Sequence, residues 1–178
     1  MSEKQIATFA GGCFWCLEAV YELMRGVESV VSGYIAGNKP NPSYEAICTG
    51  TTGHAEAVNI TFDPEQVSYG ELLAVFFSIH DPTTLNRQGN DKGTQYRSAI
   101  YYHNASQRDA AQEFMQELKQ QQVFPNPIVT ELVEAPIFYP AEAYHQHYFA
   151  NHPEQGYCQF VVAPKLAIFK GHFAGKMK

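Results

Sequence analysis

The chain has 178 residues, 45% of them hydrophobic, enough for one domain with a sizeable core. Its 12 basic and 18 acidic residues give a formal net charge of −6 with no Lys/Arg run, which argues against nucleic acid or an anionic membrane surface as a partner. The polar start Met1-Ser2-Glu3-Lys4-Gln5 lacks the basic-then-apolar pattern of a signal peptide, and no apolar run could span a bilayer; a cytoplasmic protein is expected.

Residues 5–9 read as a strand that runs into Ala10-Gly11-Gly12. A helical pattern begins at Cys13, with Leu17, Val20, Tyr21 and Met24 on one face, and stops at Gly26. Residues 27–35 are rich in β-branched side chains and predict a second strand. Residues 38–43 are a Pro-containing loop that continues irregularly to Gly53. A third strand over 55–62 ends at Asp63-Pro64. Ser68 with Glu71 makes a capping box and Val67 with Leu72 a hydrophobic staple, starting a helix whose Leu72, Leu73, Phe76 and Ile79 face a core. A polar loop over 81–95 leads to a fourth strand, 96–102. Strand-helix-strand given twice predicts an α+β fold with a ferredoxin-like split βαββαβ core. A helix near 105–122, a strand over 128–134 and a short helix over 141–151 decorate it. Residues 156–178 read as an extended, irregular and mobile tail. With no repeat or linker in sight, residues 1–178 are expected to be a single catalytic domain.

The four cysteines are Cys13, Cys16, Cys48 and Cys158. In a reducing compartment such a set is catalytic, metal-binding or buried rather than a stabilising framework. Cys13 stands where a strand turns into a helix. The free N–H groups and positive dipole end there favour a thiolate, and the preceding glycines leave the sulfur approachable. The competing reading is a small buried apolar residue. Phe14 and Trp15 follow and either anchor the helix in the core or wall an apolar pocket beside the sulfur; adjacent helical residues point about 100° apart, so a core role for both is hard to arrange. Cys16 completes Cys-x-x-Cys, which suits a dithiol oxidoreductase or, with other ligands, zinc. His145 and His147, two apart on a helix, would not share a face, and no metal site is expected. Glu56 shares a strand face with Val58 and Ile60, so it is either at an exposed strand end or a pocketed acid with a raised pKa. Cys48 reads as structural.

These segments together resemble the A-type peptide methionine sulfoxide reductases: Gly12-Cys13-Phe14-Trp15, Gly33-Tyr34, Asn41-Pro42-Ser43-Tyr44, Thr52-Gly53-His54-Ala55-Glu56, Gly89-Asn90-Asp91 with Gly93-Thr94-Gln95-Tyr96-Arg97-Ser98, Phe138-Tyr139, His145-Gln146 and Gly156-Tyr157-Cys158. The resemblance implies that Cys13 attacks the sulfur of methionine sulfoxide in its S form, free or in proteins, as a repair reaction without a cofactor. It makes Glu56 the acid that protonates the sulfoxide oxygen, Tyr44 and Tyr96 donors to that oxygen, and Asp91 a support for the polar side. Phe14 and Trp15 would hold the substrate methyl group. A second thiol then converts the Cys13 sulfenic acid to a disulfide, which thioredoxin reduces. Many family members have Gly at position 16 and a further cysteine after the Gly-Tyr-Cys segment. Cys158 is therefore the expected resolving thiol, with a Cys13–Cys16 disulfide or a relay through Cys16 as alternatives. A monomer is expected.

Overall fold

The computed structural model describes residues 3–38, 40–89, 91–152 and 154–177. Lys39 of the 38–43 loop and Asn90 of the Gly89-Asn90-Asp91 turn lie outside the described residues.

Among the described residues a mixed sheet is built from β1 (Gln5–Ala10), β2 (Val27–Ile35), β3 (Ala55–Phe62), β4 (Ala99–Tyr102), β5 (Glu131–Glu134) and β6 (Phe138–Pro140), in the order β5-β4-β1-β3-β2-β6. The inner four, β4-β1-β3-β2, pair antiparallel throughout, with α1 (Phe14–Tyr21) leading from β1 to β2 and α3 (Tyr69–Ile79) following β3. This is the expected split βαββαβ core. Strand β5 adds in parallel to β4 and β6 antiparallel to β2.

Alternation along the strands decides which face carries the core. Ala7, Phe9, Val30, Tyr34, Val58, Ile60 and Ile100 are buried in one cluster with α1 and α3. On the other face Ala10, Ile35, Ala55, Ala57, Ala99 and Tyr101 form a smaller cluster closed by Phe138. Helix α3 starts where its signals put it: the Ser68 hydroxyl accepts the Glu71 N–H at 3.1 Å. The Glu71 carboxylate itself reaches Lys176 at 3.1 Å. Helix α4 (Ala105–Gln120) is capped in the same way by Asn104, which accepts the Gln107 N–H at 2.9 Å.

Several boundaries differ from expectation. A short helix, α2 (Tyr44–Cys48), forms inside the segment read as loop, with Ser43 accepting the Ala46 N–H at 3.2 Å. Residues Thr94–Tyr96 make a 3-10 turn, so the fourth strand starts only at Ala99. The helix expected over 141–151 is broken into a 3-10 turn, Ala143–His145, and α5 (Tyr148–Asn151). The break has a cause: the Gln146 side chain bonds both the N–H and the C=O of Ser32, at 2.9 Å each, pulling Gln146 out of a helical path, and His147 takes a left-handed φ of 55°.

The largest correction concerns the C-terminus. Residues 156–178 are not an irregular tail: Cys158–Val162 form a π-helical turn that runs into α6 (Ala163–His172). Cys158, Val162, Leu166 and Phe169 are buried in the main core cluster. Their spacing of four, four and three residues is a helical stripe laid against α1 and α3.

Candidate active site

Cys13 is the residue immediately before α1, with extended backbone (φ −67°, ψ 130°). The turn that puts it there requires glycine at position 12, where φ is +89°. A Cβ on Gly12 would also stand 2.9 Å from Gln88. Gln88 cannot easily retreat, since it is buried and its side chain clamps both the N–H and the C=O of Asp81. Gly12→Ala is therefore expected to destabilise the fold by roughly 1–3 kcal/mol, read as a lower urea midpoint with an unchanged slope. An unchanged midpoint would mean that neither the φ nor the contact constrains this turn.

Glu56 sits on β3 and is 1% exposed, so it is not at an open strand end. Its Oε1 accepts the Phe14 N–H, the first amide of α1, at 3.2 Å. Its Oε2 is buried without a hydrogen bond. Burial, reinforced by the nearby Asp91, pushes the carboxyl up to about 8, against hydrogen bonds from Phe14 and Cys13. Glu56 is thus mostly a neutral acid at pH 7.

Cys13 departs from expectation. Burial, then the charge of Glu56, then Cys16 raise its thiol well above the ordinary value, outweighing the Trp15 N–H and the Tyr157 hydroxyl that favour the thiolate. The helix terminus is present but lies in a dry site beside a carboxyl group.

Aromatic rings enclose the pair. Phe14 is fully buried, 5.7 Å from Tyr34 and 5.2 Å from His145 between ring centroids. Trp15 is half-buried, stacks on Tyr148 at 3.8 Å, meets Tyr157 edge-on at 5.6 Å and donates its indole N–H to His145 Nδ1 at 3.2 Å. Phe14 therefore anchors the helix and Trp15 faces the cleft. Tyr44 opens α2, its ring 4.4 Å from His145. Burial, then Glu56, raise the hydroxyls of both Tyr44 and Tyr96, so both stay protonated donors. Asp91 accepts a hydrogen bond from Tyr157, and Tyr157 also borders the Cys13 sulfur. The fold thus gathers Cys13, Phe14, Trp15, Tyr44, Glu56, Asp91 and Tyr96 around one site.

Cys16 is buried one helical turn beyond Cys13, its N–H on the Cys13 carbonyl at 3.1 Å. Burial raises its thiol to about 11, Lys165 opposes the rise, and Cys158 is among the groups adding to it. Cys158 is fully buried in the π-helical turn rather than on a mobile tail, and burial raises its thiol too. Cys48 is exposed, with its thiol against the Tyr44 hydroxyl. The sequence reading missed roles for Tyr157, His145, Tyr148 and Glu142, which lie in or near the matched segments but touch the site only through tertiary packing. His147 faces away from His145, though across a break rather than along the expected helix: its N–H goes to Glu18 at 2.6 Å and its ring pairs with Glu22. A cleft of about 740 Å³ beside Met115, Phe124 and Ile128 shares no residue with the site.

Residues 5–177 match the family model described as peptide methionine sulfoxide reductase. The peptide methionine sulfoxide reductase MsrA of Polynucleobacter asymbioticus is 61% identical, over 94% of this chain and 88% of its own length. That of Deinococcus radiodurans is 54% identical, over 98% and 85%. The crystal structure of Mxr1 from Saccharomyces cerevisiae in reduced form has a TM-score of 0.79 at 34% identity, covering 88% of this chain and 90% of that one. Matched by the family model over residues 5–177 and by these relatives over nearly its whole length, the chain belongs to the peptide methionine sulfoxide reductase family and is a methionine sulfoxide-reducing oxidoreductase.

Proposed function

We propose that the protein, a single catalytic domain acting as a cytoplasmic monomer, reduces the S epimer of methionine sulfoxide, free or in proteins, with Cys13 as nucleophile and Glu56 as acid. The observation that supports this best is the buried Glu56 carboxyl, tied to the amide that follows Cys13 and raised to about 8. Sulfoxide oxygen leaves sulfur readily only when protonated, and Glu56 holds the needed proton at neutral pH. In this reading Tyr44 and Tyr96 donate hydrogen bonds to the oxygen, Asp91 supports the polar side through Tyr157, and Phe14 and Trp15 hold the methyl group.

The Cys13 sulfur supplies the electron pair: it attacks the sulfoxide sulfur to form an S–S bond while the oxygen takes a proton from Glu56 and its bond to the methionine sulfur breaks. That oxygen then displaces methionine from Cys13, leaving a sulfenic acid, and the Cys13 thiol proton returns to Glu56. A second thiol then attacks Cys13 and expels water, forming a disulfide. Cys16 and Cys158 are the resolving thiols. Cys16 lies next to Cys13 in α1, and the Cys158 turn packs against that helix, the placement that a relay from Cys13–Cys16 to Cys16–Cys158 needs. Thioredoxin is the dithiol that closes the cycle by exchange; Mxr1 has been crystallised in complex with Trx2.

The test is a thiol count on reduced protein given each sulfoxide epimer separately. Methionine release with loss of two thiols is expected for the S form, no reaction for the R form, and no reaction at all in Cys13→Ser. Oxidation by neither epimer would overturn the reading.

A further inference from the structure

Glu142 lies outside every segment assigned to chemistry, yet its carboxylate is tied to two of the elements that build the site. Its Oε1 accepts the Tyr34 hydroxyl at 3.0 Å, and its Oε2 accepts the Tyr44 backbone N–H at 3.0 Å. The Tyr144 hydroxyl adds a longer bond to Oε2 at 3.3 Å. Burial works against ionisation here, but the bonds from Tyr44 and Tyr34 outweigh it and hold the carboxyl below the usual range.

Each partner leads to a different wall of the cleft. Tyr34 is fully buried, stands directly across the β2–β3 ladder from Glu56 and packs on Phe14. Tyr44 is the first residue of α2, a five-residue helix whose own cap, Ser43, takes the Ala46 N–H on its hydroxyl and the Ile47 N–H on its carbonyl, while the Tyr44 N–H goes to Glu142. Glu142 also begins the turn that carries His145 against Tyr44, Phe14 and Trp15, and Gln146 fastens the far end of that turn to Ser32.

The geometry points to Glu142 as a positioning residue that sets the distance between the Tyr44 hydroxyl and the Glu56–Phe14 wall. It touches neither substrate nor Cys13; it acts through Tyr34 and Tyr44. Glutamine can keep both ties, because its amide oxygen accepts from Tyr44 while its NH₂ donates to Tyr34, whose hydroxyl can also accept. Alanine loses both ties. Aspartate, one methylene shorter, cannot span the two partners.

This inference rests on the reading of Tyr44 as a donor to the sulfoxide oxygen. The experiment is single-turnover sulfoxide reduction by wild type, Glu142→Ala, Glu142→Gln, Tyr44→Phe and the Ala/Phe double variant, with alkylation of Cys13 by iodoacetamide in parallel. Glu142→Ala is expected to lose roughly ten- to a hundredfold in rate with Cys13 alkylation unchanged, and Glu142→Gln to stay within about threefold of wild type. In the Tyr44→Phe background the alanine change should cost less than about twofold, since the hydroxyl it positions is gone. Should the alanine variant not fold, Glu142→Asp takes its place with the same expectation. Full activity in Glu142→Ala (or in Glu142→Asp where it stands in), or losses that multiply in the double variant, would overturn the inference while leaving the reductase intact. A wild-type protein inert to sulfoxide would instead remove the underlying reading.

Discussion

Replacing Glu56 with glutamine is expected to yield a protein that is more stable near neutral pH yet roughly 10²- to 10⁴-fold slower in sulfoxide reduction. The two effects share one cause. Glutamine keeps an oxygen for the Phe14 N–H, which Glu56 accepts at 3.2 Å, but has no proton to give the sulfoxide oxygen. The sign on stability follows from the shift. The folded carboxyl is raised from 4.5 to about 8, so the fold is unpenalised below pH 4.5 and loses stability as pH rises from there through about 8. At 1.36 kcal/mol per pH unit, the wild-type side chain costs the fold about 3 kcal/mol at pH 7, a penalty glutamine does not carry. Melting curves should coincide near pH 4.5 and separate upward, with the variant melting higher. Removing the carboxylate also removes the second-largest influence raising Cys13, so the variant's thiol should alkylate faster at a given pH. A variant that turns over like wild type would exclude Glu56 from the chemistry, however it melts.

The fold was legible in the sequence wherever a local signal and the tertiary contact agree. The Ser68 cap, the two-residue alternation of β3 and the glycines before Cys13 each have one local cause, and the structure repeats them. The broken 141–151 helix was not legible, because what breaks it is Gln146 bonding to Ser32, 114 residues away. The C-terminal helix was hidden differently. Its stripe of Cys158, Val162, Leu166 and Phe169 is present, but Pro164 and a β-branched pair interrupt the ordinary helical signal. The π-helical turn leads directly into α6 with Pro164 near the junction, where the hydrogen-bond register changes. At the site, residue types and order pointed to Cys13 and Glu56. The direction of the Cys13 shift did not follow from the helix terminus alone, because burial and the neighbouring carboxyl are properties of the assembled fold. Glu142 lies in no matched segment and Tyr157 only in Gly156-Tyr157-Cys158, which assigns it no role; their contacts with the site are to partners 98 and 66 residues away.

Cys16→Ser is expected to abolish thioredoxin-dependent turnover, whereas Cys158→Ser should still form a disulfide in the first turnover. Cys13 precedes α1 and Cys16 is its third residue, its N–H on the Cys13 carbonyl at 3.1 Å, so a disulfide between them closes one short turn of chain. Cys158 is held in a π-helical turn with its N–H on the Gln155 side chain at 3.2 Å, so it must shift before it can exchange. A π-helical turn is a strained arrangement often kept at functional positions, and this one lies against α1. One equivalent of S-form sulfoxide should therefore oxidise Cys13 alone in Cys16→Ser, leaving a sulfenic acid that dimedone captures. In Cys158→Ser it should consume two thiols, and peptide mapping should find them joined as Cys13–Cys16. Wild type should lose two thiols and show Cys16–Cys158 as the disulfide that persists. If Cys16→Ser instead loses two thiols as Cys13–Cys158 and keeps turning over with thioredoxin, Cys158 resolves Cys13 directly. Cys16 would then be a core residue of α1, its raised thiol a consequence of burial rather than of a place in the relay.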